Sequence, residues 1–124
     1  MAISDELLQF GIDQLAGLAG ISMDANRLVD DVVLVAYAFD DPQLFSTAIA
    51  NIISAINLIL RQRNIGTALV NNKAGWWSYY FQSQRSQRHP ADMRIVYQDT
   101  GTTIRIMGFG HRWVPQNIYT RLSP

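Results

Sequence analysis

Two short runs on either side of a tight reversal constrain this fold most. Met93–Gln98 (MRIVYQ) and Thr102–Phe109 (TTIRIMGF) alternate in polarity and are rich in β-branched residues. Asp99-Thr100-Gly101 lies between them, and glycine accepts positive φ without strain. The pattern predicts a β-hairpin. Upstream, Trp77–Gln84 reads as an aromatic-rich strand leading into the polar Gln84-Arg85-Ser86-Gln87-Arg88, and Pro90 marks the loop before the hairpin. The second half of the chain therefore predicts an antiparallel meander of about three strands.

The first half reads as helical. Ser4-Asp5-Glu6 has the cap and acidic first turn of a helix start, and Leu7, Leu8, Ile12, Leu15 and Leu18 recur at helical spacing. Gly17 and Gly20 weaken and end this helix, over about residues 4–18. A second unit begins at Ser22-Met23-Asp24. Its run Val32–Phe39 fits a helix by period and a strand by composition, and periodicity does not settle short apolar runs. Asp24 as a cap, with Asp30 and Asp31 on one polar side, favours helix. Asp40-Asp41-Pro42 is a third start, with a carboxylate cap and proline at the first helical position. That helix should run to about Gln62, apolar apart from a stripe of Thr47, Asn51, Ser54 and Asn57, and the sheet should pack on it. The expected class is α+β: a helical N-terminal half packed on a small antiparallel meander.

At 124 residues, 48% of them hydrophobic and 16% charged, the chain suits one globular domain. Residues 1–64 form its mainly helical, acidic and apolar part, and 76–122 its β-rich, basic part. Having no cysteine excludes disulfides, thiolate metal sites and cysteine nucleophiles. Two histidines without clustered partners imply no metal, and no cofactor motif is present. The net charge is zero but uneven. Residues 1–60 hold eight acids and one base (Arg27), a balance of −7; residues 61–124 hold nine bases and two acids, a balance of +7. Such asymmetry fits a nucleic-acid-facing surface or two halves that neutralise each other. The acidic opening lacks the basic residues of a secretory signal. The 19 uncharged residues between Asp41 and Arg61 approach membrane-spanning length, but the polar stripe favours a core helix. A cytoplasmic protein without a membrane partner is expected.

The sequence has no phosphate-cradling glycine loop, GxSxG elbow or HExxH pair. It does have Arg85, Arg88, His89, Arg94, His111, Arg112 and Tyr119 in the strands and loops of one small sheet. RNA cleavage through the 2′-hydroxyl needs cations on the scissile phosphate, a base for the 2′ proton and an acid for the leaving 5′-oxygen. Arginine offers bidentate phosphate contact, and histidine or tyrosine can exchange protons. Trp76, Trp77, Tyr79 and Tyr80 can stack bases, although packing on the central helix is the commoner use of such residues.

Met93-Arg94-Ile95-Val96-Tyr97-Gln98, the turn, Ile104–Arg112 ending in Gly110-His111-Arg112, and then Ile118-Tyr119 resemble the C-terminal half of the RelE/ParE toxin superfamily. The resemblance covers roughly the last third of the chain. It implies the toxin of a bacterial toxin–antitoxin pair, an endoribonuclease that cuts ribosome-associated mRNA without metal. Arg94 and Arg112 would hold the phosphate, Tyr119 would sit near the 2′-hydroxyl, and His111 replaces a lysine of some relatives. Arg85, Arg88 and His89 fall where those nucleases bind RNA through lysines. The implied partners are a cognate antitoxin and the mRNA–ribosome complex. The family opens with a strand that leads into helices, a place that residues 32–39 can fill. Because the chain is neutral overall, two alternatives stand: a ParE-like, non-enzymatic inhibitor of a protein such as gyrase, or a non-toxic module dimerising through its apolar central helix.

Overall fold

The structure, a computed structural model, describes residues 2–114. It is α+β, with three helices and a five-stranded mixed sheet. Helix α1 (Asp5–Ala16) starts where the Ser4 hydroxyl accepts the Leu7 N–H, and Asp5 and Glu6 lie at the positive end of its dipole. Strand β1 (Ile21–Met23) follows, then α2 (Ala25–Ala38), whose cap Asp24 accepts the Arg27 N–H. In α3 (Pro42–Gln62) one Asp41 oxygen accepts the N–H groups of Gln43 and Leu44, while Pro42 needs no partner at the first position. Strands β2 (Thr67–Ala68), β3 (Trp77–Phe81), β4 (Met93–Asp99) and β5 (Ile104–His111) complete the chain, with a 3₁₀ turn at Asn71–Lys73. Residues 32–39 are thus helical up to Ala38, and the strand that leads into the helices is Ile21–Met23.

The expected meander is β3-β4-β5, antiparallel throughout. Two additions make the sheet mixed, in the order β1-β5-β4-β3-β2. β1 runs parallel to β5, pairing Ile21 with Ile104, and β2 covers β3 only at Trp77 and Ser78. The hairpin turns at Gly101, with φ 93°, whose N–H donates to Asp99. One extra residue, Met107, sits opposite the Val96–Tyr97 step as a bulge that re-aims the end of β5.

Alternation sorts the sheet into two faces. Met93, Ile95, Tyr97, Ile104, Ile106 and Phe109 form one core with the helices, joined by the half-buried Trp77, Tyr79 and Phe81. Helix α3 supplies the centre through Phe45, Ile49, Ile52, Ile56 and Ile59, all buried. It is long and apolar enough to cross a membrane, yet this face is the core on which the sheet packs. Gly11 of α1 is buried facing Phe45 and Ile49 of α3, where a Cβ would make ordinary contact at 3.4–3.5 Å. Asp31, expected on a polar side with Asp30, is fully buried, and its Oδ2 accepts the Phe109 N–H at 3.0 Å. The carboxylate thereby serves a sheet amide beside the bulge, which a hydrocarbon side chain would leave unsatisfied. The opposite face carries Ser78, Tyr80, Arg94, Val96 and Arg105, with Leu69, Trp76 and Met107 packed on Val96.

Candidate functional site

The loop from Gln82 to Asp92 joins β3 to β4, and its fold places most of the candidate residues. Helix α3 anchors it: Asn51 donates to the Ser83 carbonyl at 2.7 Å, and Arg85 Nε donates back to the Asn51 side chain at 3.2 Å. Gln84 donates to the Leu44 carbonyl, while Gln82 bridges the carbonyls of Ser86 and His89. The polar stripe on an apolar helix is therefore partly a clamp for this loop.

Asp92 is the centre of the loop. It is 5% exposed, and it accepts the Ser83 N–H at 2.8 Å and the Ser83 hydroxyl at 2.7 Å. His89 Nε2 lies 3.0 Å from Asp92 Oδ2, and His111 Nε2 lies 3.9 Å from the same oxygen. Burial works to raise the Asp92 carboxyl, but the hydrogen bonds from Ser83 and His89 outweigh it and hold the group below the ordinary carboxylate value.

The two histidines differ. His111 Nδ1 accepts the N–H groups of Trp113 and Val114, so its neutral form carries hydrogen on Nε2. Burial pushes His111 below 6.5; Asp92 opposes this and His89 adds to it. It is a neutral ring at pH 7, wedged between Phe39 and Trp113. His89 instead faces an open cleft, with Nε2 turned inward to Asp92.

Ser83, His89 and Asp92 are the residue types of a hydrolase triad, but not its arrangement. A single imidazole nitrogen meets both the serine hydroxyl (3.3 Å) and the carboxylate, and the fully buried hydroxyl donates to Asp92. A triad needs the imidazole between its partners, one on each nitrogen. This cluster orients His89 rather than activating Ser83.

On the other sheet face, Arg94 and Arg112 converge on Tyr80. Their guanidinium carbons lie 4.3 and 4.4 Å from the centroid of the Tyr80 ring, and Arg94 also donates to the Tyr80 hydroxyl. Arg94 is 5% exposed; Arg112 is half-buried, stacks on Trp113 and donates to the Ala91 carbonyl at 3.0 Å. The Arg112 N–H donates to the Asp92 carbonyl at 2.7 Å, which ties the arginine pair to the histidine cluster.

A cleft of about 890 Å³ separates α3 from β3. One wall is Asn51, Ser54, Asn57 and Arg61, and the other is the edge of β3 at Tyr79, Tyr80 and Phe81. Arg85 and His89 also line it. The sequence candidates thus fall into three groups. Arg94 and Arg112 meet at Tyr80; His89 and His111 share Asp92; Arg85 and His89 line the cleft. Arg88 is exposed on the loop, and Tyr119 lies outside the described residues. Among the described residues no cluster of three metal-ligating side chains occurs. Sequence reasoning missed Tyr80 as the ring between two arginines, Asp92 as the shared carboxylate and Arg61 as a cleft cation. Asp92 did carry a signal, as one of two acids among nine bases. No family model, curated protein or solved structure matches this chain significantly.

Proposed function

We propose that the protein is the toxin of a bacterial toxin–antitoxin pair, of the RelE/ParE type, and that it cleaves ribosome-associated mRNA without a metal ion. The observation that carries this reading is the meeting of Arg94 and Arg112 on one tyrosine ring, beside the His89–Asp92–His111 cluster. These two arginines stand 18 residues apart, and they are the pair that the resemblance assigns to the scissile phosphate. After the opening helix α1, the order of elements supports the reading as well: a strand, two helices and, beyond the short β2, an antiparallel meander.

In this reading the substrate's 2′-hydroxyl attacks the adjacent phosphorus, the 5′-oxygen leaves, and a 2′,3′-cyclic phosphate remains. Arg112, the more accessible arginine, holds a phosphate oxygen as negative charge builds. Arg94 fixes the Tyr80 ring and adds positive potential from behind it. His111 is neutral with Nδ1 occupied, so proton exchange falls to His89 and to Tyr119, the latter by resemblance. A cognate antitoxin would cover the site in the resting cell.

Induced expression of the wild type should arrest growth and cut transcripts at ribosome-bound positions, and Arg112→Ala and Tyr119→Phe should relieve both effects. Intact transcripts, with ribosomes and mRNA present over a wide range of protein concentration, would refute the nuclease reading. The burial of Arg94 favours one alternative, a ParE-like inhibitor of a protein target such as gyrase. Growth arrest with intact RNA and inhibited DNA supercoiling would select it.

A further inference from the structure

Two further spaces flank the short strand β1, and their chemistries are opposite. One, of about 310 Å³, opens between the end of α1 and the start of α2 and reaches the core. Ala16, Ser22 and Ala25 of its lining are exposed and mark the mouth, whereas Leu15, Leu28, Ile56 and Phe109 are buried and mark the floor. Among the described residues the Ser22 hydroxyl is its one polar side-chain group. Water in a cavity needs about two to four polar partners, so this lining favours hydrocarbon. A cavity of ~150 Å³ suffices for benzene, so this one suits a two-ring system or an alkyl chain of about eight carbons.

The other space, of about 440 Å³, lies on the outer sheet face, lined by Arg27 of α2, by Arg105 and Met107 of β5 and by Trp76. The Arg105 guanidinium carbon lies 5.5 Å from the centroid of the Trp76 ring, a contact that limits where this cation can go. Neither arginine forms an ion pair among the described residues. Asp24 is the one acid in the lining, and one of its oxygens already accepts the Arg27 N–H. Two cations less one carboxylate leave a balance of +1, which fits a single carboxylate. A phosphate monoester would bring about two charges, and a nucleic-acid strand one at every phosphate.

The two spaces adjoin. Ser22, Met23 and Ile106 line both, and Met23–Ile106 is the last pair of the β1–β5 ladder. β1 is also the edge of the sheet, so no further strand closes the way from one face to the other. A molecule with an apolar body and an anionic end can therefore fill both at once. Hydrocarbon alone would leave the arginines without a counter-ion, and a small anion alone would leave the core space to water.

The geometry points to a binding site for a small amphiphilic carboxylate, with its apolar body in the core space and its charged end on Arg105 and Arg27. Arginine suits that end because its guanidinium meets a carboxylate through two parallel N–H bonds. The site shares no residue with the nuclease reading and stands or falls independently of it.

The test is a titration of the ¹⁵N-labelled protein with octanoate, alongside acetate and 1-octanol as its two halves. Octanoate should shift the amides of Ala16, Ser22, Ala25, Arg27 and Arg105 together and raise the melting temperature. Octanol should bind about tenfold more weakly, the equivalent of roughly one charge-assisted hydrogen bond. Acetate should leave the spectrum unchanged. Arg27→Gln with Arg105→Gln should lower the octanoate affinity to that of octanol and leave octanol as it was, while Arg88→Gln, outside both spaces, should change neither. Ala16→Trp, at an exposed helix end, should block the mouth and abolish binding of both. Dispersed spectra verify that each variant folds. The proposal is overturned if octanoate leaves the spectrum unchanged, or if its shifts are confined to Asn51, Arg61 and Arg85 around the α3–β3 cleft. Octanol binding as tightly as octanoate overturns it too, as does wild-type octanoate affinity in either the double variant or Ala16→Trp. Transcript cleavage bears on the nuclease alone, and these titrations bear on the carboxylate site alone.

Discussion

Replacing Asp92 by asparagine should destabilise the protein by about 1.5–3 kcal/mol at pH 7, the usual value of a hydrogen bond to a buried charged group. The geometry limits the loss to that range. Asp92 Oδ1 accepts the Ser83 N–H, and an asparagine carbonyl can keep that bond. The amide NH₂ then replaces Oδ2, where it meets two donors, the Ser83 hydroxyl and His89 Nε2. The hydroxyl can rotate to accept, and the imidazole can change tautomer, so what disappears is charge assistance. Asp92→Ala removes every acceptor and leaves a buried Ser83 N–H unpaired, and it should cost more than the asparagine change.

The sign of the pH dependence separates this account from a simple packing defect. Folding holds the Asp92 carboxyl below its ordinary 3.8, so its stabilisation is complete above that value and is lost as pH falls through the lowered folded value. Urea denaturation of wild type and Asp92→Asn from pH 7 to pH 2 should therefore show a gap that narrows below pH 3.8. A gap that stays constant across this range, or one below 0.5 kcal/mol at pH 7 (roughly the noise of surface substitutions), would refute the assignment of Asp92 as the organising anion of the loop.

Three further outcomes are expected. His111 has a folded pKa below 6.5, so wild type should lose stability as pH falls below 6.5 through the lowered value; His111→Asn, whose carbonyl can replace Nδ1 as acceptor for Trp113 and Val114, should flatten that part of the profile, as thermal melts between pH 8 and 5 would report. The fully buried Tyr97 donates to the Ile65 carbonyl at 2.6 Å and burial pushes its phenol up to about 12, so Tyr97→Phe should cost about 1 kcal/mol in denaturant, and the wild-type absorbance step assigned to Tyr97 should appear near pH 12. Gly66 has φ +99° and a Cβ there would collide with the Ser78 carbonyl, so Gly66→Ala should lower stability by about 1–3 kcal/mol, read from the shift in the urea midpoint.

The elements that were legible in the sequence are those whose causes are local. Asp41-Pro42 caps and starts α3, Asp24 caps α2, and Gly101 turns the hairpin, each within a few residues of its effect. β1 was not legible, because Ile21-Ser22-Met23 is three residues long and its partner Ile104 lies far along the chain in a parallel pairing that no turn announces. The burial of Asp31 was hidden for the same reason: the amide it serves is 78 positions away. Next to Asp30 it reads as a solvated acid. Within the candidate site, histidine and arginine types were visible from their chemistry, but their grouping was not. Alternation along β4 places Arg94 opposite the face of Tyr97, and its pairing with Tyr80 across β3 decides which ring it meets.

The same grouping shows how two of the cations of this basic half are held away from the surface, while Arg61, Arg85, Arg88 and Arg105 stay exposed. Two guanidinium groups held within 4.4 Å of one ring centroid repel each other, and in a partly buried setting that repulsion is not fully screened. The π-face and hydroxyl of Tyr80 offset part of it. The Arg112 amide is tied to the backbone carbonyl of Asp92. One residue thus serves three places: its carboxylate holds the serine that shapes the loop and the histidine that faces the cleft, and its backbone carbonyl holds the strand end that carries Arg112. A side-chain substitution at Asp92 should accordingly disturb the Ser83–His89 loop first, since the bond to the Arg112 amide comes from the backbone. A change at Arg85 should remain confined to the cleft, because its side-chain bond runs to Asn51 on α3 and to no member of the Asp92 cluster.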